Sequence, residues 1–188
     1  LGMFGISAQA QTCGVLCDKD FWKSASQADV LAEISTADVH ARNFKGETAL
    51  MYAAGSGTAE NMKLLLDAGA DVTARDKDGK TALMIAAAGF GTVEKLKVLL
   101  DAGADVKSMN VNGLTALMWA AGRGTAEGLK VLLDAGADVT ARDKDGSTAL
   151  MYAAAGFAPT ENAKMLLEAG SDGSVKDSKG KTAWDHAQ

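Results

Sequence analysis

The sequence predicts an all-α solenoid of stacked helix-turn-helix units with short β-hairpin fingers. The string Gly-x-Thr-Ala-Leu-Met begins at Gly46, Gly79, Gly113 and Gly146, at spacings of 33, 34 and 33 residues. In each unit an alanine-rich segment, a turn and a leucine-rich segment follow this string. Neither segment reaches the roughly 12 residues at which an isolated helix becomes marginally stable. The units must therefore stack to bury their apolar faces.

Each element of a unit has a local cause, as the first unit shows. Thr48 is a good N-cap for a first helix over residues 49–54, and Gly55-Ser56-Gly57 is predicted to end that helix. Thr58 can cap a second helix, in which three consecutive leucines supply the apolar side and Gly69 ends the helix. The chain then runs extended to a turn rich in aspartate and glycine, which forms the predicted finger.

The repeat also sets the predicted domain organisation. Residues 20–45 are interpreted as a degenerate capping unit, with Phe21 and Trp22 covering the open end of the stack. Units one and three are identical at 27 of 33 positions, which indicates duplication of a two-unit block, although alternate units contacting alternate parts of a partner would also fit. The full units span residues 46–78, 79–112, 113–145 and 146–179, and a partial unit spans 180–188.

These residues resemble the ankyrin repeat, in a variant with Thr-Ala-Leu-Met-x-Ala-Ala that we associate with bacterial members. The family pattern is met by the segments that begin at Gly79 and Leu99, clearly over residues 46–188 and weakly over 20–45. Alanine replaces the family proline and methionine replaces the family histidine, so the polar contact of that histidine is absent here. We interpret the methionine column as core filler rather than as a metal or haem site.

The first ten residues are interpreted as the remnant of a signal peptide. They are mildly apolar and end in Ala8-Gln9-Ala10, an A-x-A cleavage pattern, and a start at Leu1 indicates that the true N-terminus is missing. An ordinary disordered tail is the alternative. We therefore expect a periplasmic or secreted protein, with a cytoplasmic location as the alternative.

Residues 11–19 contain the two cysteines of the chain, Cys13 and Cys17. On a helix, positions i and i+4 lie about 6 Å apart, which is within the range of a disulfide. An exported protein with two nearby cysteines favours a structural disulfide. Free thiols, and a redox or metal-binding pair, are the alternatives.

Composition and motifs argue against most other functions. The net charge of −5 over 188 residues argues against a general nucleic-acid binder, and no apolar run approaches the length of a membrane span. The glycines between Gly122 and Gly128 fail the dinucleotide-binding pattern, and the Asp76-Lys-Asp78-Gly79 turn lacks the acids that a calcium loop requires. With no hydrolase, zincin or phosphate-loop motif, the sequence predicts no catalytic, cofactor or metal residue, and therefore no enzyme.

What remains is a surface for a protein partner. The resemblance implies that residue 52 and its equivalents face a concave groove, and tyrosine and tryptophan are residue types that anchor interfaces. Partial burial between the first helices is the alternative for this column. The predicted partner-binding residues are Tyr52, Ile85, Trp119, Tyr152, Arg75, Lys77, Lys80, Met109, Leu114, Arg123, Arg142 and Lys144.

The predicted function is accordingly a non-catalytic protein–protein interaction module that uses the groove and the finger tips. One alternative is a thiol-redox protein in which Cys13 and Cys17 cycle while the solenoid recruits the substrate. Another is that the array is the ankyrin segment of a longer protein.

Overall fold

A computed structural model describes residues 14–35, 37–89, 93–156 and 159–188. The regular elements of these residues are a 3-10 helix at Gly14–Cys17 and α-helices, so the predicted all-α solenoid is confirmed. The α-helices are α1 (Lys19–Ser24), α2 (Gln27–Ile34), α3 (Ala49–Ser56), α4 (Ala59–Asp67), α5 (Ala82–Ala88), α6 (Val93–Asp101), α7 (Ala116–Arg123), α8 (Ala126–Asp134), α9 (Ala149–Ala154), α10 (Pro159–Glu168) and α11 (Ala183–His186).

The helices form two parallel layers. The first helices of the units, α1, α3, α5, α7, α9 and α11, pack side by side in chain order, and the second helices α2, α4, α6, α8 and α10 do the same. Within each full unit the two helices also pack against each other. The buried residues form one hydrophobic cluster that runs along the stack between the layers.

Threonine side chains start most of these helices, as the sequence predicts. Thr48 Oγ1 accepts a hydrogen bond from the amide of Met51 over 3.4 Å, and the equivalent threonines of units two and three do the same for Met84 and Met118 over 3.3 Å. Each cap satisfies an amide that has no partner within the helix.

The predicted end of the first helix was wrong by two residues. Gly55 and Ser56 lie inside α3, and Gly57 is its C-cap. A Cβ atom on Gly57 would lie 3.0 Å from the carbonyl oxygen of Ala53 and 3.1 Å from the Trp22 ring. Position 57 therefore has little room for a side chain, and the helix ends at this glycine rather than at the first glycine along the chain.

The methionine and leucine columns fill the core. Met51, Met84, Met118 and Met151 are each at most 2% exposed, as expected for side chains that pack in place of the family histidine. Alanine lines the contacts between neighbouring first helices, and its small side chain permits their close approach.

Each finger is a tight turn held by one polar side chain. The turn glycine has φ between +74° and +79°, a conformation that side chains disfavour. The side-chain Oδ1 of the Asn or Asp three residues earlier accepts two backbone amides of the turn. These residues are Asn43, Asp76, Asn110, Asp143 and Asp177. Isolated antiparallel bridges join Arg42 to Thr48 and Met109 to Thr115, so the predicted hairpins are short.

The two ends of the stack differ. Trp22 is 2% exposed, and its Nε1 donates a hydrogen bond to the carbonyl oxygen of Leu16 over 2.8 Å. Trp184 is 74% exposed, whereas the leucine at the equivalent position of the full units, such as Leu150, is at most 3% exposed.

Some predictions fall outside the described residues. These are the signal-peptide remnant at residues 1–10 and Cys13. Among the described helices none is long and apolar enough to cross a membrane.

Candidate protein-binding face

The predicted aromatic column lies along the first-helix layer. Tyr52, Ile85, Trp119 and Tyr152 occupy equivalent positions on α3, α5, α7 and α9, and all four are half-buried against the core. A fifth member, His186 on α11, was missed, although its spacing of 34 residues from Tyr152 was a sufficient signal. We call the surface formed by this column and the adjoining fingers the groove face.

Polar members of the column are tied to the fingers. Tyr152 donates its hydroxyl hydrogen bond to Asp143 Oδ2 over 2.6 Å, and Tyr52 donates to Glu47 Oε2 over 2.8 Å. Burial, with the neighbouring carboxylate, raises the pKa of both tyrosine hydroxyls. His186 Nε2 lies 2.9 Å from Asp177 Oδ2.

Trp119 interrupts this pattern. Its indole Nε1 is buried and has no hydrogen-bond partner among the described residues. The guanidinium of Arg123, one helical turn further along α7, lies 5.5 Å from the centre of the Trp119 ring. Unit three therefore presents a cation over an aromatic ring where the neighbouring units present tyrosine or isoleucine.

Two pockets open between neighbouring first helices on the groove face. The first, of about 380 Å³, lies between α7 and α9 and is lined by Trp119, Arg123 and Tyr152 among others. The second, of about 240 Å³, lies between α3 and α5 and includes Tyr52 and Ile85. The column therefore borders the concave sites at which a partner side chain can be buried.

Two of the predicted finger residues bind the neighbouring finger. Arg75 donates to the carbonyl oxygen of Met109 over 2.6 Å and to Ser108 Oγ over 3.0 Å. Arg142 donates in the same way to the carbonyl oxygen of Lys176. These arginines therefore clamp consecutive fingers together, a role that the sequence reasoning missed because the contacts join residues 33 or 34 positions apart.

The other predicted finger residues lie at the surface. Met109 is 42% exposed, Lys77 and Lys144 are exposed, and Lys80 pairs with Asp78 over 3.1 Å. Leu114 is half-buried at the rim of the larger pocket.

A polar column on the second helices joins neighbouring units. Asn61 Nδ2 donates to the carbonyl oxygen of Ala25 over 3.2 Å, and Asn162 Nδ2 donates to that of Ala121 over 3.0 Å. The equivalent residue of unit two, Lys95, is 9% exposed and donates to the carbonyl oxygen of Ala54 over 3.3 Å. Burial lowers the pKa of Lys95.

The described residues offer no evident site for other chemistry. No group of three His, Cys, Asp or Glu side chains among them is placed to hold a metal ion. Cys17 Sγ lies 3.5 Å from the carbonyl oxygen of Glu47. Since Cys13 lies outside the described residues, its disulfide with Cys17 stays a prediction.

Comparison with known proteins gives one family. The profile of the family described as Ankyrin repeats (3 copies) matches residues 22–110 and 86–177, which together cover most of the chain. No curated protein sequence matches the chain significantly.

Proposed function

Because the chain belongs to the ankyrin-repeat family, we propose that it is a non-catalytic module that holds a protein partner along the groove face. The observation that carries the proposal is the column of half-buried Tyr52, Trp119 and Tyr152, which borders both pockets between the first helices. Half-buried aromatic side chains are already fixed by their packing, so they lose little conformational entropy when a partner covers them.

The finger tips extend this surface. Phe44 is 79% exposed, and Met109 and Val111 are 42% and 48% exposed, on turns that Arg42 and Arg75 tie to a neighbouring finger. Apolar side chains on a fixed turn are suited to select among partners, because they gain burial only where the partner is complementary.

We also keep the export hypothesis as a proposal: the protein is periplasmic or secreted, and Cys13 forms a disulfide with Cys17. The A-x-A pattern at Ala8-Gln9-Ala10 and the closely spaced cysteines support it. N-terminal sequencing of the native protein should give a start at or near residue 11, and thiol labelling without reductant should modify neither cysteine. An intact upstream segment would contradict export, and two labelled thiols would contradict the disulfide.

Affinity capture from native extract tests the groove assignment. The bait is the full chain beside the Trp119→Ala/Tyr152→Ala variant, and a Lys97→Ala/Lys130→Ala variant of the second-helix face serves as matched control. We expect a partner that the full chain and the control hold and that the groove variant loses. Retention by a groove variant that still unfolds cooperatively, with loss by the control, would overturn the proposal.

A further inference from the structure

The two pockets between first helices on the groove face are the same site, repeated one two-unit block apart. Six residues of the larger pocket stand 67 positions after residues of the smaller one. The pairs are Glu47 and Leu114, Met51 and Met118, Tyr52 and Trp119, Gly55 and Gly122, Ser56 and Arg123, and Ile85 and Tyr152. The protein therefore contains two versions of one pocket on equivalent backbone.

Divergence between the duplicated units is concentrated at this site. Units one and three differ at 6 of 33 positions, and three of the six line the pocket. The other three differences lie on the second helix, and the finger sequences from Ala70 and Ala137 onward are identical within these units. The three pocket differences exchange Glu47 for Leu114, Tyr52 for Trp119 and Ser56 for Arg123.

These exchanges change the charged groups of the pocket. The smaller pocket is lined by Glu47 and Lys19, a carboxylate and an ammonium, together with Ser56. The larger pocket has Arg123 as its charged lining residue and no carboxylate in the lining. The guanidinium of Arg123 makes no ion pair within the described residues and stacks on Trp119.

We propose that the pocket between α7 and α9 is the anchor site of the groove face and that its occupant is a protein segment in which an aliphatic or aromatic side chain stands next to a carboxylate. The apolar side chain lies between Trp119 and Tyr152, in a cavity of about 380 Å³. The carboxylate pairs with Arg123, whose fork of donors matches a carboxylate and whose stacking on Trp119 already restricts it.

The smaller pocket is less suited to the same segment. Glu47 Oε2 already accepts hydrogen bonds from Tyr52 and Asn43, so this carboxylate is fixed in place. A partner carboxylate placed there would meet Glu47 as well as Lys19, whereas in the larger pocket it meets Arg123 without an opposing carboxylate. Binding therefore favours one position along the stack although the repeat offers two. This inference rests on the proposed function and names the chemistry of its partner.

A randomised library of 12-residue peptides displayed on phage, selected against the full chain, supplies the probe. We expect enrichment of sequences in which an aliphatic or aromatic residue adjoins Asp or Glu. Synthetic copies are then measured by fluorescence anisotropy against the L114E/W119Y/R123S variant. This variant carries at each position the residue that unit one holds on equivalent backbone, so it tests the pocket with side chains the repeat accommodates.

We expect that variant to bind the peptides at least tenfold more weakly than the natural protein does. Arg123→Ser alone should weaken binding less, and its difference in affinity from the natural protein should shrink as the salt concentration is raised. The reverse set E47L/Y52W/S56R should create a second anchor and raise the number of peptides bound per chain to two. That gain of binding keeps the test decisive even if the first variant fails to fold.

Each contrary result has its own meaning. Enriched peptides without an acidic residue, or a library with no enrichment, would overturn the anchor assignment. So would peptides that bind the L114E/W119Y/R123S variant with unchanged affinity. If the Trp119→Ala/Tyr152→Ala variant does not bind those peptides, the anchor assignment fails but the groove proposal stands. If that variant binds them as well, the groove proposal also fails.

Discussion

The hydroxyl of Tyr152, on α9, lies 2.6 Å from Oδ2 of Asp143, in the finger that precedes this helix. The other carboxylate oxygen, Oδ1, accepts the backbone amides of Asp145 and Ser147 over 2.9 and 2.8 Å. One carboxylate therefore shapes the finger turn and fixes the aromatic side chain beside the larger pocket. The finger of unit three and the groove column of unit four are therefore joined by hydrogen bonds to one side chain.

Removing that hydroxyl should destabilise the fold modestly. Tyr152→Phe leaves Asp143 Oδ2 without its donor, and we expect the free energy of unfolding to fall by about 1 kcal/mol. Urea denaturation measures it, with Tyr52→Phe as the matched variant in unit one. A change below about 0.3 kcal/mol in both variants would show that solvent replaces these bonds without cost.

Alkaline titration should show that the tyrosines ionise at a higher pH in the folded protein than in the unfolded chain. Burial and a carboxylate raise the pKa of both tyrosines of the chain, Tyr52 and Tyr152. Above pH 10 the unfolded chain therefore loses these protons first, and the stability present at neutral pH falls as the pH rises. Tyrosinate absorbance of the native protein should show no ionisation near pH 10. A native transition at that pH would contradict the bonds to Glu47 and Asp143.

We expect the replacement of Lys95 by an apolar residue to stabilise the folded protein. Its ammonium is buried against one carbonyl oxygen, and burial lowers its pKa in the folded state. Between the lowered and the ordinary pKa the unfolded chain binds more protons, so the stability of the natural protein rises with pH. Lys95→Met should abolish that rise and stabilise the protein at neutral pH, because it removes a buried charge that has no ionic partner among the described residues. The exposed Lys97→Met is the control, and a destabilised Lys95→Met protein would show that the bond to Ala54 outweighs the desolvation.

We expect Arg75 to stabilise the packing of the fingers rather than to bind the partner. Arg75→Met reproduces the residue that unit two carries at this position, Met109, and removes the bonds to the next finger. We expect the midpoint of thermal unfolding to fall by an amount that corresponds to about 1 kcal/mol of stability. Partner capture should persist. Loss of capture without loss of stability would instead assign Arg75 to the interface.

The sequence predicts what depends on local pattern. The threonine caps, the methionine core column and the two helices of each unit follow from residues within a few positions of one another. The end of α3 does not, because the crowding at Gly57 comes partly from Trp22, which is distant in sequence. The clamping by Arg75, the bond of Tyr152 to Asp143 and the pairing of the two pockets also depend on which residues the stack brings together.

Site-specific photo-crosslinking tests the groove face most directly. A benzoylphenylalanine placed at position 119 of the full chain would be irradiated in native extract beside the same group at position 130, on the exposed side of α8. We expect a discrete partner adduct from position 119 and none from position 130. An adduct from position 130 with none from position 119 would contradict partner binding by the groove face.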